Sequence, residues 1–150
     1  GCTQDKSFIG EISQYEHGVS GEIYACGDTQ LVVEKFTYDG LAPDAFFWVG
    51  RKGSVPEANG ILLPYPFQGE FYDSTDSDAP ILDKAYDGSQ PEILLTLPGD
   101  IKVSDLKWIS VWCREYEVNF GDIIIKDDED VEENKLDTGL IWNFCLETFN

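Results

Sequence analysis

Methionine is absent from the 150 residues, and histidine occurs once, at His17. No thioether is therefore available as a haem or metal ligand, and a lone histidine carries no metal-ligand spacing. Lysine and arginine number 10 against 29 aspartates and glutamates, a formal net charge of −19. A surface so short of cations repels phosphate backbones and anionic membranes, which disfavours nucleic acid and acidic lipid as partners. Cationic partners and divalent metal ions are compatible with it, and so is plain solubility. No apolar run reaches the ~18 residues of a membrane span. No secretory leader is visible, and without methionine the expectation is a mature product or excised domain whose targeting information has been removed. The motifs GxSxG, HExxH, GxGxxG and the P-loop are missing. Many carboxylates are present, but nothing singles out a glycosidase pair.

Aromatic residues are plentiful, with 9 Phe, 7 Tyr and 4 Trp, and 14 Gly and 7 Pro punctuate the chain. Short strands joined by turns are the natural reading. Strands are predicted near residues 22–26, 31–38, 45–50, 92–97, 106–113 and 121–126, with 61–67 extended because of its two prolines. Residues 1–18 read as mixed, around the apolar pair Phe8 and Ile9. No window holds a long 3.6-residue apolar period. The expected fold is an all-β antiparallel sandwich or jelly roll of eight to ten strands with little helix. Residues 1–126 form that domain. Residues 127–150 hold the acidic run KDDEDVEENKLD's continuation and a final apolar segment, read as a linker and as a docked strand or the start of a following domain.

The run WISVWC, residues 108–113, concentrates the chemistry. Alternation puts Trp108, Ser110 and Trp112 on one face, and Ile109, Val111 and Cys113 on the other. Both faces are mostly apolar, so the strand is expected near the centre of its sheet. Cys113 has three readings: a buried small hydrophobe, half of a disulfide, or a redox thiol. Arg114 and Lys107 would favour a thiolate if they lie close in space. Four cysteines, Cys2, Cys26, Cys113 and Cys145, suit an oxidising compartment and allow three full pairings. Because domain termini are often close, Cys2–Cys145 is the expected bridge.

The segments HGVSGEIYA (17–25), FTYDGLAPDAFFWVG (36–50), PEANGILLPYP (56–66), LLTLPGDIKVSDLKWISVWC (94–113) and VNFGDIII (118–125) occur in order. As a set they resemble the DM-thirteen domain, the electron-transfer domain of Skeletor-type and Knickkopf-type extracellular proteins. The resemblance covers residues 8–126. It implies a β-sandwich at the cell surface, neighbouring DOMON or haem-bearing b-type cytochrome domains, and a redox role for the cysteine after the WxSVW strand, Cys113. It also places His17 at the start of the first strand, a candidate haem ligand with Cys113 as partner.

Two further readings stand beside this one. Asp73, Asp76, Asp78 and Asp83 form an acidic loop able to offer Ca²⁺ its oxygens, without EF-hand spacing, and a solvated loop is the simpler account. Asp39 and Asp44, in YDGLAPD, suit turn chemistry in which carboxylates bond nearby amides. The second function class is a non-enzymatic matrix or binding module for a protein, a polysaccharide such as chitin, or a cation. Its cysteines would be structural and its contacts the loop aromatics Tyr65, Phe67, Phe71 and Tyr72.

Overall fold

The structure is a computed structural model that describes residues 1–125. The acidic run, the final segment and Cys145 lie outside the described residues. Ten strands follow in order: β1 (Lys6–Glu11), β2 (Ser13–Gln14), β3 (Ser20–Cys26), β4 (Gln30–Tyr38), β5 (Ala45–Gly50), β6 (Ile61–Leu63), β7 (Tyr86–Asp87), β8 (Ile93–Thr96), β9 (Trp108–Cys113) and β10 (Val118–Ile124). One 3-10 turn, Val103–Asp105, is the only helical element among the described residues. The strands form two antiparallel five-stranded sheets. One runs β1-β3-β4-β7, with β8 also pairing β4; the other runs β2-β10-β9-β5-β6. The sandwich expected from the strand and turn pattern is the fold observed.

The sheets close on one shared core. Ile23, Leu31, Val33 and Phe36 of the first sheet meet Phe47, Val49, Ile109, Val111 and Ile123 of the second. β9 is third of five in its sheet, and its alternation is as expected. Ile109, Val111 and Cys113 enter the shared core, whereas Trp108 and Trp112 join Phe46, Trp48 and Leu62 in a second apolar cluster on the outer face. Ala79, Tyr72 and Ile81, from the connection between β6 and β7, cover that cluster. A sheet covered on both faces explains why AFFWVG and WISVWC are apolar throughout.

Close approach fixes two glycines here. A Cβ on Gly60 would stand 2.0 Å from Trp48 Nε1, and one on Gly50 would stand 2.1 Å from the Trp108 ring. The two indoles donate to Glu57 O at 3.0 Å and to Lys52 O at 2.9 Å, tying the intervening loop to the sheet.

A bulge decides what β4 buries. Between the pairs Glu22↔Glu34 and Ser20↔Thr37, β4 advances three residues while β3 advances two. The extra residue is Lys35, at φ 56°. It inverts the in–out parity, so Leu31 and Val33 point inward before it and Phe36 and Tyr38 after it.

The expected Cys2–Cys145 bridge is corrected. Cys2 pairs with Cys26, with α-carbons 5.9 Å apart. Proximity of the chain ends was the wrong guide. The β1–β3 ladder sets Lys6 opposite Cys26, and the residues before β1 continue past the end of β3. Gly27 N–H accordingly donates to Asp5 O at 2.9 Å, and the Cys2 amide to Glu92 Oε1 at 2.7 Å.

Candidate functional site

Cys113 is the last residue of β9, opposite Ala45 of β5 and Val118 of β10. Its thiol is free, 1% exposed, and part of the shared core. The same end of the sandwich gathers the end of β4, the β4–β5 loop, the β9–β10 turn and the turn before β3.

Tyr38 closes β4 there, 2% exposed, and its hydroxyl accepts the Ala42 amide at 3.2 Å. Burial pushes the phenol pKa up. The Ala42 hydrogen bond opposes the rise, and the Asp39 carboxylate adds to it. Above Tyr38 lies His17, its ring centroid 6.3 Å from Tyr38 and 4.4 Å from Phe120. His17 Nδ1 meets both Asp39 oxygens, at 2.9 and 3.0 Å, and His17 O accepts the Asp39 amide at 3.0 Å. Asp39 Oδ1 also accepts the Leu41 amide at 2.9 Å, the turn chemistry expected of YDGLAPD. His17 (φ 57°) and Glu117 (φ 54°) both hold left-handed backbone, a conformation costly for residues other than glycine.

This end of the sandwich therefore holds a buried thiol, a buried phenol and a half-exposed His–Asp pair. Tyr38 and Asp39 were not among the sequence candidates for redox chemistry. The parity break in LVVEKFTY, with apolar residues at 31 and 33 and then at 36 and 38, is the signal that turns Tyr38 inward.

Arg114 does not reach the thiol. Its guanidinium lies over the Phe46 ring at 4.6 Å, on the outer face of the sheet, while Cys113 points inward. Nε and Nη2 clamp the Asp44 carboxylate at 2.9 and 3.0 Å, and Nη1 donates to Asp76 O at 2.9 Å and Ser74 O at 3.3 Å. This arginine anchors the β6–β7 connection. Lys107 precedes the opposite end of β9. A haem ligated by Cys113 inside this domain would require the core around a 1%-exposed sulfur to open, so the residues present do not fit that group.

In the acidic loop, two of the carboxylates bond the chain's own amides. Asp73 accepts the Thr75 amide and hydroxyl at 2.9 and 2.6 Å, which holds its pKa below the usual value, and Asp76 accepts the Asp78 amide at 2.9 Å. Among the described residues, no three His, Cys, Asp or Glu side chains converge as metal ligands. Of the loop aromatics, Phe67 stacks on Phe71 at 4.8 Å, Tyr65 packs against the shared core, and Tyr72 packs on the outer cluster. Phe71 is the most open, at 38% exposed.

The sequence profile of the family described as Electron transfer DM13 matches residues 9–125. The chain belongs to that family. Within the DM13 match lie Cys113, Tyr38, His17 and Asp39, whereas Cys2, one half of the disulfide, precedes it. Two curated relatives, Protein Skeletor isoforms B/C and isoforms D/E of Drosophila melanogaster, are each 37% identical to the chain over 122 residues, 81% of its length. The chain spans 14% and 7% of those relatives, which are far longer proteins. No solved structure matches it. Among the described residues, no helix is long and apolar enough to cross a membrane.

Proposed function

We propose that this DM13 domain is a redox module of a longer extracellular or cell-surface protein and that Cys113 is its electron-exchanging group. The observation that carries the reading is a free, buried thiol on the central strand of the sheet, in a family described by electron transfer. The other described cysteines are joined as Cys2–Cys26, which suits an oxidising compartment. The electron partner is a haem carried by a neighbouring domain, of the DOMON or b-type cytochrome kind, rather than a haem seated on Cys113: its Fe(III) takes one electron and becomes Fe(II), while the thiol releases its proton and becomes a thiyl radical, and the reverse step restores the thiol. The test is Cys113→Ser. The variant should still fold, at a cost of about 1–3 kcal/mol for an unpaired hydroxyl in the apolar core, and should lose electron exchange with a haem protein. A variant that exchanges electrons at the wild-type rate overturns the reading.

A further inference from the structure

Three turns close the Cys113 end, and each exposes an apolar side chain. Tyr15, Leu41 and Tyr116 are 58%, 78% and 65% exposed. The turns are contiguous: Arg114 N–H donates to Asp44 O at 2.9 Å, Tyr15 N–H to Phe120 O at 3.0 Å, and Asp39 N–H to His17 O at 3.0 Å. Tyr15 is also fixed by its hydroxyl, which donates to Asp122 Oδ1 at 3.2 Å. Around these apolar residues stand exposed Glu16, Asp39, Glu115 and Glu117.

Among the described residues, cations are scarce at this end. Arg114 is neutralised by Asp44, and Lys84 stands at the margin, its backbone against Gly40. Arg51, Lys52, Lys102 and Lys107 lie at the opposite end, beyond β5, before β9 and beside the β3–β4 turn. Among the described residues, the far end therefore mixes these cations with acids such as Asp28, Glu57 and Asp100, whereas the end over the thiol carries acids with few cations.

We infer that the Tyr15–Leu41–Tyr116 end is the docking surface for a protein partner that presents an apolar patch ringed by lysine or arginine. The inference rests on the redox reading, because it names the partner chemistry of that same site. An apolar centre with a charged rim is how protein interfaces are built, and electron-transfer encounters lie at the small end of their size range. An acidic rim steers a cationic partner and turns away acidic polysaccharides and anionic lipid.

The experiment uses cytochrome c, a lysine-rich haem protein, as the probe at low ionic strength. Amide chemical shifts should move in residues 15–17, 39–44 and 114–118. Combining Glu16→Gln, Glu115→Gln and Glu117→Gln should raise Kd at least about tenfold. Combining Asp28→Asn, Glu57→Gln and Asp100→Asn removes the same charge at the far end and should change Kd less than about twofold. Equal losses in the two triple variants, or shifts spread over the whole surface, would reduce the effect to net charge and overturn the docking surface. Leu41→Ser with Tyr116→Ser should weaken binding at every salt concentration, and unaltered binding would count against the apolar centre. Cys113→Ser separates the two ideas. Docking intact with electron exchange unchanged sinks the redox reading and leaves the surface standing. Exchange that requires Cys113 but ignores the rim variants sinks the surface and leaves the redox reading standing.

Discussion

Replacing Arg114 with methionine separates a structural arginine from a thiol activator. The change keeps an apolar stem over Phe46 and removes the bidentate Asp44 pair and the bonds to Ser74 O and Asp76 O. Breaking one side of a fully buried ion pair costs about 3–5 kcal/mol. An exposed pair is worth less than about 1 kcal/mol. With side chains 22% and 17% exposed, this pair falls between those limits, near about 2–3 kcal/mol. In a domain of this length, that lowers Tm by about 6–10 °C. Urea unfolding followed by tryptophan fluorescence reads the loss directly, since the freed loop covers Trp48 and Trp112. The pH dependence of Cys113 alkylation should stay unchanged after correction for stability. A variant of unaltered stability whose alkylation profile moves to higher pH would mean that Arg114 acts on the thiolate, and the placement argued above would fall.

Gly60→Ala would set a methyl against the Trp48 indole and break its bond to Glu57 O, so the urea midpoint should fall by the equivalent of about 1–3 kcal/mol; an unshifted midpoint would show the loop free to move away. Removing the 24-residue Cys2–Cys26 bridge by Cys2→Ser and Cys26→Ser should cost about 3 kcal/mol in the chain-entropy picture, and non-reducing peptide mapping should recover that pair. Tyr24 donates to Glu22 Oε2 at 3.0 Å, and that bond, with a smaller contribution from burial, pushes its phenol up to about 12. A raised folded-state pKa means the contribution to stability is whole below pH 10 and is lost as pH climbs from about 10 towards 12. Ultraviolet phenolate titration should show several late tyrosines, Tyr38 among them, and only one of them should move down markedly in Glu22→Gln.

The sandwich was legible because its central strands are covered on both faces and carry unbroken apolar runs, as 45–50 and 108–113 do. β1 was not, because it is an edge strand whose residues are mostly exposed, Phe8 included, so no alternation marks it. The two-residue strands β2 and β7 hold too few positions for a period of two to appear. At the candidate site, alternation grouped Cys113 with Ile109 and Val111, and the structure shows that face to be the inner one. The His17–Asp39 pair did not, since the two are joined by tertiary placement of separate turns. Arg114 was read as a neighbour of the thiol from adjacency along the chain. In a strand, adjacency puts two side chains on opposite faces, and the same period of two that placed Cys113 inward sends Arg114 outward.

Burial also bears on which redox chemistry the proposal for Cys113 allows. Thiol–disulfide exchange needs a second sulfur brought into contact with the first, through a mixed disulfide. A thiol 1% exposed on the inner face of the central strand offers no such approach in the folded state. Electron transfer to a docked partner needs proximity but no shared bond, and Cys113 lies one residue from the turn that closes its end of the sandwich. Bulky disulfide reagents should therefore react only through opening of the core. If that opening requires about 4–5 kcal/mol, within the range between local and global unfolding, the native rate should fall about 10³-fold or more below that of an unfolded chain. Timed reaction with a chromogenic aromatic disulfide, in water and at rising urea, measures this, and the rate should rise with urea in step with unfolding. A rate near that of a free thiol, independent of urea, would show the sulfur open to direct attack and would return disulfide exchange as its chemistry.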